Sequence, residues 1–249
     1  MTRRVRVALE RLSAGERRID GAEGRYLARV LRLRAGASLT AFDPVARNEA
    51  DATLVAIERD HVLARFGEPR PASVVGLEQV TLVWCAGKGD KPDDVVRAAT
   101  ALGVSSIVVA TSERSVARAP ATPERHARLA AIALDAARQS GRGDLPSLEG
   151  PVELARALDD ARANTALKLC LEPTASTELG AALRERRGRG LALLVGPEGG
   201  FAEDELELAR DAGFTLVRFG SLVLRTELAA VAALGAVVAS ETNGPARGD

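Results

Sequence analysis

The chain has 249 residues, of which 46% are hydrophobic, and its 34 basic and 34 acidic side chains give a formal net charge of zero. These values are typical of a globular protein with one large or two modest domains. The longest apolar run, residues 228–239, is too short to span a bilayer, and the N-terminus has no apolar signal core, so we expect a cytoplasmic protein with no membrane partner. Two cysteines and two histidines without ligand spacing argue against thiol chemistry and predict no metal site.

The first part of the chain is basic and then strand-like. Residues 1–34 contain ten arginines and four acidic residues, which predicts either a phosphate-binding surface or simply a solvated face. Between residues 38 and 65, three alternating segments separated by turn-prone stretches predict a small β-rich module. The following segment, GEPRPASVVG, has several structure breakers and no apolar period. We therefore predict two domains, at residues 1–70 and 76–242.

Strands and helices alternate through the rest of the chain. Five buried-strand candidates, of which VTLVWC is the first, are separated by helical segments, and the last segment is an apolar helix at 226–240. This order predicts an α/β domain with a mostly parallel sheet that is covered on both faces.

The segment LALLVGPEGGF, residues 191–201, places three glycines, one proline and one glutamate after a predicted strand. In open α/β sheets, ligands bind beyond the carboxyl ends of the strands. The glycine patterns of dinucleotide sites and P-loops are both missing, and Glu198 with the acidic run 203–205 would repel a phosphate. The turn therefore favours a neutral ring, a ribose or a cation. Alternatively, the glycines form only a tight turn and the acidic residues only cap a helix.

Two other predicted strands end in polar loops. Gly220, Arg225 and Glu227 follow one strand, and Glu172 with Pro173 follows another. Because the carboxyl ends of parallel strands share one edge of the sheet, we expect these loops to meet the glycine turn. Three loops at one edge favour a ligand site over three unrelated turns.

Residues 191–230 resemble the C-terminal signature of the bacterial 16S rRNA (uracil-N3)-methyltransferases, which belong to the knotted SPOUT superfamily. Three upstream segments, AGKGDKPDDVVRAATALGVSSI, SERSVAR and LDAARQSGRGDLPSL, resemble further segments of that family in the expected order. RYLARVLRLRAGASLTAFD is similar to the family's N-terminal PUA-like module. The resemblance implies a small β-rich PUA-like domain, then a SPOUT methyltransferase domain with a C-terminal trefoil knot, and a homodimer.

The resemblance also implies the cofactor and the reaction. The cofactor is S-adenosylmethionine, which carries an adenosine and a sulfonium cation but no phosphate and so agrees with the character of the glycine turn. The reaction is methylation of N3 of a specific uridine in the decoding region of 16S rRNA. The residues implied to bind the cofactor are Leu171, Glu172, Gly196, Pro197, Glu198, Gly199, Gly200, Gly220, Leu222 and Leu224.

Two residues are candidates for catalysis, because Arg225 and Glu227 fall on the family's Leu-Arg-x-Glu segment. Uridine N3 is protonated at neutral pH, and we predict that Glu227 accepts this proton. We predict that Arg225 stabilises the negative charge that develops on the uracil carbonyls. Alternatively, the pair only orders the knot.

The expected macromolecular partner is 16S rRNA within the small ribosomal subunit. Contacts to it are expected from the basic N-terminal segment and from three later loops. The predicted RNA-binding residues are Arg25, Arg29, Arg32, Arg34, Lys88, Lys91, Arg114 and Arg142.

The chain departs from the family pattern at three positions. Ala101 and Arg138 each stand where the family usually has glutamate, and Leu228 stands where a hydroxyl residue is common. Two other functions stay open at this point. One is a related knotted methyltransferase that acts on tRNA or on a ribose 2'-hydroxyl, and the other is a catalytically silent RNA-binding assembly factor.

Overall fold

A computed structural model of the chain describes residues 5–58, 61–86, 92–115, 122–164, 167–186 and 190–242. The chain forms two compact units. Met1–Gly76 and Leu134–Leu145 make up the N-terminal unit, and Leu77–Ala133 and Pro146–Asp249 make up the C-terminal unit. The N-terminal unit thus includes a segment that is distant in sequence.

The N-terminal unit is built on a six-stranded sheet with the strand order β1-β3-β4-β5-β2, and β6 pairs with β4. Strands β1 and β3 run parallel, and the other pairs are antiparallel. The predicted β-rich module is confirmed. Its elements are β1 (Val5–Ala8), β2 (Gly15–Ile19), α1 (Gly21–Arg25), a π-helical turn (Tyr26–Val30), β3 (Ser38–Asp43), β4 (Asn48–Ile57), β5 (Val62–Phe66) and β6 (Arg70–Pro71).

Alternation along β4 explains how this sheet encloses a core. Ala52 and Leu54 are buried, whereas Thr53 and Val55 between and after them are exposed. The inward residues pack in one cluster with residues of β1, β3 and β5 and with Leu27. A period of two is what a strand with one buried face requires.

Asp43 closes the turn that follows β3. Its carboxylate accepts hydrogen bonds from the backbone N–H groups of Arg11 at 2.6 Å, and of Val45 and Ala46 at 3.0 Å each. Burial opposes ionisation of Asp43, but the three backbone donors outweigh it and hold the pKa of this carboxyl below its ordinary value. The charged form is therefore the one that the fold stabilises.

The C-terminal unit is an α/β domain. Its seven-stranded sheet has the order β11-β13-β10-β12-β7-β8-β9, and all of its strand pairs are parallel. Its elements are β7 (Val80–Cys85), α2 (Pro92–Ala101), β8 (Ser106–Thr111), α3 (Pro123–Ser140), β9 (Ser147–Glu153), α4 (Leu154–Asn164), β10 (Leu167–Leu171), β11 (Thr177–Glu178), α5 (Leu179–Arg184), β12 (Leu191–Val195), α6 (Glu203–Asp211), β13 (Thr215–Arg218) and α7 (Thr226–Thr242). Helix α3 runs from this unit into the segment that groups with the N-terminal unit.

Both faces of this sheet are covered, as predicted. Leu82 and Trp84 of β7 pack on one face with residues of α2, α5 and α7. Val83 and Cys85 pack on the other face with residues of α4 and α6. Each fully buried aliphatic side chain of this kind contributes roughly 1.5–3 kcal/mol. The sheet is therefore a rigid support for the loops at its edges.

Strands β13, β10 and β12 are neighbours in the sheet and run parallel. The loops that follow them start at Phe219, Glu172 and Gly196. The three loops therefore leave the sheet at one edge, which confirms the expectation that they converge.

Candidate active site

A cavity of about 620 Å³ lies at the carboxyl edge of β10, β12 and β13. Its walls come from the loop that follows each of these strands and from the start of α7. A volume of this size lies within the range of ligand pockets, roughly 300–1,000 Å³. The lining residues are Leu171, Glu172, Pro173, Glu178, Val195, Gly196, Pro197, Glu198, Gly200, Phe201, Arg218, Phe219, Gly220, Ser221, Leu222, Val223, Leu224, Thr226 and Ala229.

Glycines shape two of the three loops. Gly200 and Gly220 both have φ of +67°, a left-handed conformation that strains any residue with a side chain. Gly200 N–H donates to the Pro197 carbonyl at 2.9 Å and closes the turn. At Gly196 the constraint is space, because an added Cβ would lie 2.9 Å from Cε2 of the Phe201 ring. The backbone of this turn therefore follows a course that favours glycine at both positions.

A hydrogen-bonded chain joins the glycine turn to α7. The Thr226 hydroxyl donates to the Gly196 carbonyl, and it accepts from the indole N–H of Trp84 at 3.2 Å. Thr226 and Trp84 are buried, at 4% and 0% exposure. Thr226 thus fixes the start of α7 to the end of β12. Sequence reasoning missed both residues, although Trp84 is the single tryptophan of the chain.

The charges that line the cavity are mostly negative. Glu172, Glu178 and Glu198 contribute carboxylates, and Arg218 contributes a guanidinium. Arg218 pairs with Glu178 at 2.9 Å, so their charges largely cancel. The Glu172 carboxylate accepts two hydrogen bonds from Thr174, from the backbone N–H at 3.1 Å and from the hydroxyl at 2.9 Å. The surplus of negative charge favours a cation and opposes a phosphate.

Nine of the ten residues predicted to bind the cofactor line this cavity, and Gly199 is the exception. The Gly199 carbonyl instead accepts a hydrogen bond from Nη1 of Arg114 at 2.8 Å. An added Cβ at Gly199 would contact Arg114 Cβ and Cδ at 3.4 Å. The group that lies close to the backbone of Gly199 is therefore the side chain of Arg114.

Arg225 and Glu227 flank the cavity without lining it. They stand on either side of Thr226, and Arg225 is exposed to solvent. Glu227 is half-buried, and its Oε2 is buried with no hydrogen-bond partner among the residues that the structure describes. A buried polar atom without a partner is uncommon in folded proteins, which sets Glu227 apart from the other acidic residues near the cavity.

The predicted RNA-binding residues differ in exposure. Arg25, Arg29, Arg32 and Arg34 are all exposed on α1 and the stretch after it, and Arg114 is exposed after β8. Lys88 and Lys91 lie outside the described residues. The structure thus presents four arginines of the basic segment to solvent.

Arg142 stands apart from these residues, because it is only 2% exposed. Its Nε donates to Asp144 at 2.5 Å. The same carboxylate accepts from the backbone N–H of Gly76 at 2.9 Å. A buried and paired guanidinium is not available to a phosphate, so Arg142 holds its loop in place rather than contacting RNA.

The departure from the family pattern at Arg138 has a structural explanation. Arg138 forms an ion pair with Glu23, and its guanidinium lies over the Tyr26 ring at 4.7 Å from the ring centre. These partners belong to α1 and the π-helical turn, which also carry Arg25 and Arg29. Arg138 therefore fixes the basic segment within the N-terminal unit. Nothing in the structure explains Ala101, which is exposed at the end of α2.

Cys85 and Cys170 are both buried, and burial raises the pKa of each thiol above its ordinary value. They therefore stay protonated near neutral pH. Within the described ranges, no group of three or more His, Cys, Asp or Glu side chains could hold a metal ion. No helix in this part of the chain is long and apolar enough to cross a membrane.

Comparison with known families defines the class of protein. A family model of an RNA methyltransferase domain matches residues 76–238, and a model of an RNA methyltransferase PUA domain matches residues 19–67. The chain is therefore of the RNA methyltransferase class, with a PUA domain before the methyltransferase domain. A ribosomal RNA small subunit methyltransferase E from Mycobacterium bovis is 34% identical over 230 residues, covering 88% of this chain and 84% of the relative. The chain belongs to the ribosomal RNA small subunit methyltransferase E family.

Solved structures agree with this assignment. The ribosomal RNA small subunit methyltransferase E from Neisseria gonorrhoeae, bound to S-adenosylmethionine, matches with a TM-score of 0.83 and 32% identity, covering 94% of this chain and 96% of the other. A protein from Legionella pneumophila, in complex with bound S-adenosylmethionine, matches with a TM-score of 0.83 and 27% identity, covering 96% and 98%. The mostly parallel α/β sheet and the PUA-like unit are those of this family.

Proposed function

We propose that this protein uses S-adenosylmethionine to methylate N3 of a uridine in the decoding region of 16S rRNA. The observation that carries the proposal is the cavity at the ends of β10, β12 and β13, with its glycine-shaped walls and surplus of carboxylates. A sulfonium cation and a phosphate-free nucleoside suit such a cavity. Family membership and the cofactor-bound relative from Neisseria gonorrhoeae support it.

The chain offers groups for each part of the cofactor. Leu222 and Leu224 give apolar surface for the adenine ring, and Gly196, Gly200 and Gly220 let the backbone approach the ligand closely. Glu172 and Glu198 contribute negative charge for the cationic end. When bound, S-adenosylmethionine supplies an electrophilic methyl group.

The residues beside the cavity are suited to preparing uracil for methylation. N3 must lose its proton before its lone pair can form a new bond, and Glu227 accepts this proton on its unpartnered Oε2. The exposed guanidinium of Arg225 stabilises the negative charge that spreads onto the uracil carbonyls. It acts as a fixed charge, because guanidinium does not deprotonate in proteins. Thr226 keeps both residues at the cavity through its bond to Gly196.

RNA binding, in this proposal, begins at the N-terminal domain, residues 1–70, and chemistry takes place in residues 76–242. Arg25, Arg29, Arg32 and Arg34 contact phosphates, which position the RNA without reading its sequence. The target is 16S rRNA in the small ribosomal subunit.

We further propose that the C-terminal domain carries the trefoil knot of the SPOUT superfamily and that the protein is a homodimer. Exposed apolar side chains support the dimer, since Leu222 and Val223 at the cavity and Leu228 on α7 are 76%, 79% and 53% exposed. Exposed apolar clusters of this kind mark interaction surfaces.

Methyl transfer by the purified protein tests the proposed function. With labelled S-adenosylmethionine and purified small ribosomal subunits, label should appear in 16S rRNA as 3-methyluridine after digestion to nucleosides. Transfer should occur without added metal and in the presence of a chelator. Label on tRNA or on a ribose hydroxyl would reassign the substrate. Cofactor binding without any transfer would identify a silent RNA-binding factor.

A further inference from the structure

The four residues after β8 form a closed turn. Ser115 N–H donates to the Ser112 carbonyl at 3.0 Å, and Ser112 N–H donates to Oγ of Ser115 at 3.1 Å. The two hydroxyls are 2.9 Å apart, and both serines are buried. The turn Ser112–Ser115 therefore has a fixed shape and holds Glu113 and Arg114 between its ends.

Two ties connect this turn to the cofactor loop. Nη1 of Arg114 donates to the Gly199 carbonyl at 2.8 Å, and the stem of Arg114 lies over Gly199. The second tie is the carboxylate of Glu205. One of its oxygens accepts from Glu113 N–H at 2.7 Å, and the other accepts from Ala202 N–H at 2.9 Å. Each oxygen thus serves a different chain segment.

The two ties bracket part of the cavity wall. Gly200 and Phe201 lie between the tied residues Gly199 and Ala202, and both line the cavity. Gly200 N–H also donates to the Pro197 carbonyl at 2.9 Å, so the segment held by the two ties is a closed turn. Neither Arg114 nor Glu205 lines the cavity itself. Their effect on a ligand must therefore pass through the backbone of the loop.

We propose that Arg114 and Glu205 are positioning residues that hold the glycine turn in its cofactor-binding shape from the side of β8. Ligand affinity then depends on the Ser112–Ser115 turn, which contributes no atom to the cavity. This inference rests on the proposed function for the identity of the ligand. The ties themselves are observed independently of it.

Matched substitutions separate positioning from simple loss of structure. Arg114→Met keeps the aliphatic stem over Gly199 and removes the donor, whereas Arg114→Lys keeps a donor. Glu205→Gln keeps the shape and loses one of the two acceptor oxygens. Arg156→Met is the control, because Arg156 is an exposed residue of α4 that pairs with Glu149 at 3.0 Å. All variants are made in the full chain.

Titration calorimetry with S-adenosylmethionine gives the main result. Arg114→Met and Glu205→Gln should each raise the Kd about three- to tenfold, the effect of one lost hydrogen bond. Arg114→Lys and the control should stay near the unchanged chain. Thermal melting should show Tm values close to that of the unchanged chain for the Arg114 variants. Glu205 also caps the start of α6 through its bond to Ala202 N–H. If Glu205→Gln lowers Tm, the two Arg114 variants decide the question, since neither removes this cap.

Amide hydrogen exchange of the ligand-free protein gives a second result that needs no cofactor. Glu205→Gln should speed exchange at Glu113 and Ala202 and leave the amides of β12 unchanged. If Arg114→Met and Glu205→Gln bind S-adenosylmethionine with the same Kd as the unchanged chain, the positioning role is wrong, but the proposed function is not affected. Failure of Arg114→Lys to restore affinity would also overturn the positioning role. No binding by the unchanged chain would contradict the proposed function as well.

Discussion

At the scale of single residues, Gly196 is the most constrained position of the cofactor cavity. An added Cβ would lie 2.9 Å from the ring of Phe201, which is itself 6% exposed and has little room to move. Gly196→Ala should therefore displace the ring into the cavity and weaken S-adenosylmethionine binding about tenfold or more, in keeping with overpacking costs of roughly 1–3 kcal/mol. Calorimetry measures the loss. Gly180→Ala on α5, where a Cβ meets nothing within 4 Å, is the control and should bind normally.

Arg225 is the residue on which the proposed catalysis depends most. Arg225→Ala should lower single-turnover methylation of small ribosomal subunits about 100-fold or more, the scale for losing one donor to a developing anion. Cofactor binding should change little, because Arg225 does not line the cavity. Arg225→Lys should recover part of the rate, since a point charge does not reproduce the planar fork. Near-normal turnover of the alanine variant would make Arg225 a structural residue.

Local patterns made part of this site predictable. The glycines, the acidic residues and the strand end of LALLVGPEGGF lie within eleven residues, so their joint meaning is visible in the sequence. Thr226 was not predictable, because its role depends on an indole 142 positions away. The burial of Arg142 was hidden for a different reason, because its partner Asp144 is only two positions away. An arginine in a Gly-rich loop has the same sequence pattern whether its carboxylate partner faces inward or outward.

At the scale of elements, the turn after β3 makes the N-terminal sheet sensitive to acid. The pKa of Asp43 lies below its ordinary value of 3.8 in the folded state. Its contribution to the free energy of unfolding is therefore complete above pH 3.8 and is lost as the pH falls through the folded value. Asp43→Asn should destabilise the unit by about 1–3 kcal/mol near neutral pH. The difference in unfolding free energy between the unchanged chain and Asp43→Asn should become smaller below about pH 4. Urea unfolding of both proteins across this pH range tests the prediction, and a difference that is constant with pH would contradict it.

The junction between β12 and α7 depends on one hydroxyl. Thr226→Val keeps the shape of the side chain but leaves the Trp84 indole N–H and the Gly196 carbonyl without this partner. The loss should cost about 1–3 kcal/mol of unfolding free energy, because an unsatisfied buried donor is expensive. Thr226→Ser retains the hydroxyl and should lose less. Trp84 reports unfolding directly as the sole tryptophan, and equal stability of the valine and serine variants would refute the role of the hydroxyl.

Strands in the interior of a sheet could be predicted from the sequence, whereas strands at the sheet edges could not. The interior strands β3, β4, β5, β7, β8, β10, β12 and β13 were all predicted, because burial on one or both faces imposes a regular apolar pattern. The strands that were missed include β1, β2, β9 and β11, which all lie at sheet edges. Edge strands are short, as in β11, or charged, as in the GERRI sequence of β2. Their apolar residues are too few to form a recognisable strand pattern in the sequence.

At the scale of the whole molecule, each of the two units accounts for one half of the proposed task. The N-terminal unit presents four exposed arginines on α1 and the stretch after it, which suits contact with phosphates. The C-terminal unit holds the cavity and the two catalytic candidates. Zero net charge for the whole chain conceals this division, because the ten arginines of residues 1–34 are balanced elsewhere. The uneven charge distribution left a phosphate-binding surface or a solvated face open, and the family resemblance supplied the nucleic-acid partner.

The most direct test of rRNA methylation is mass spectrometry of 16S rRNA nucleosides from three strains. One strain has the gene, one lacks it, and one carries only the Arg225→Ala variant. We predict 3-methyluridine in the first, its loss in the second, and a strongly reduced amount in the third. Nuclease mapping of the modified fragment then identifies the nucleotide. Equal 3-methyluridine in strains with and without the gene would contradict the proposed function.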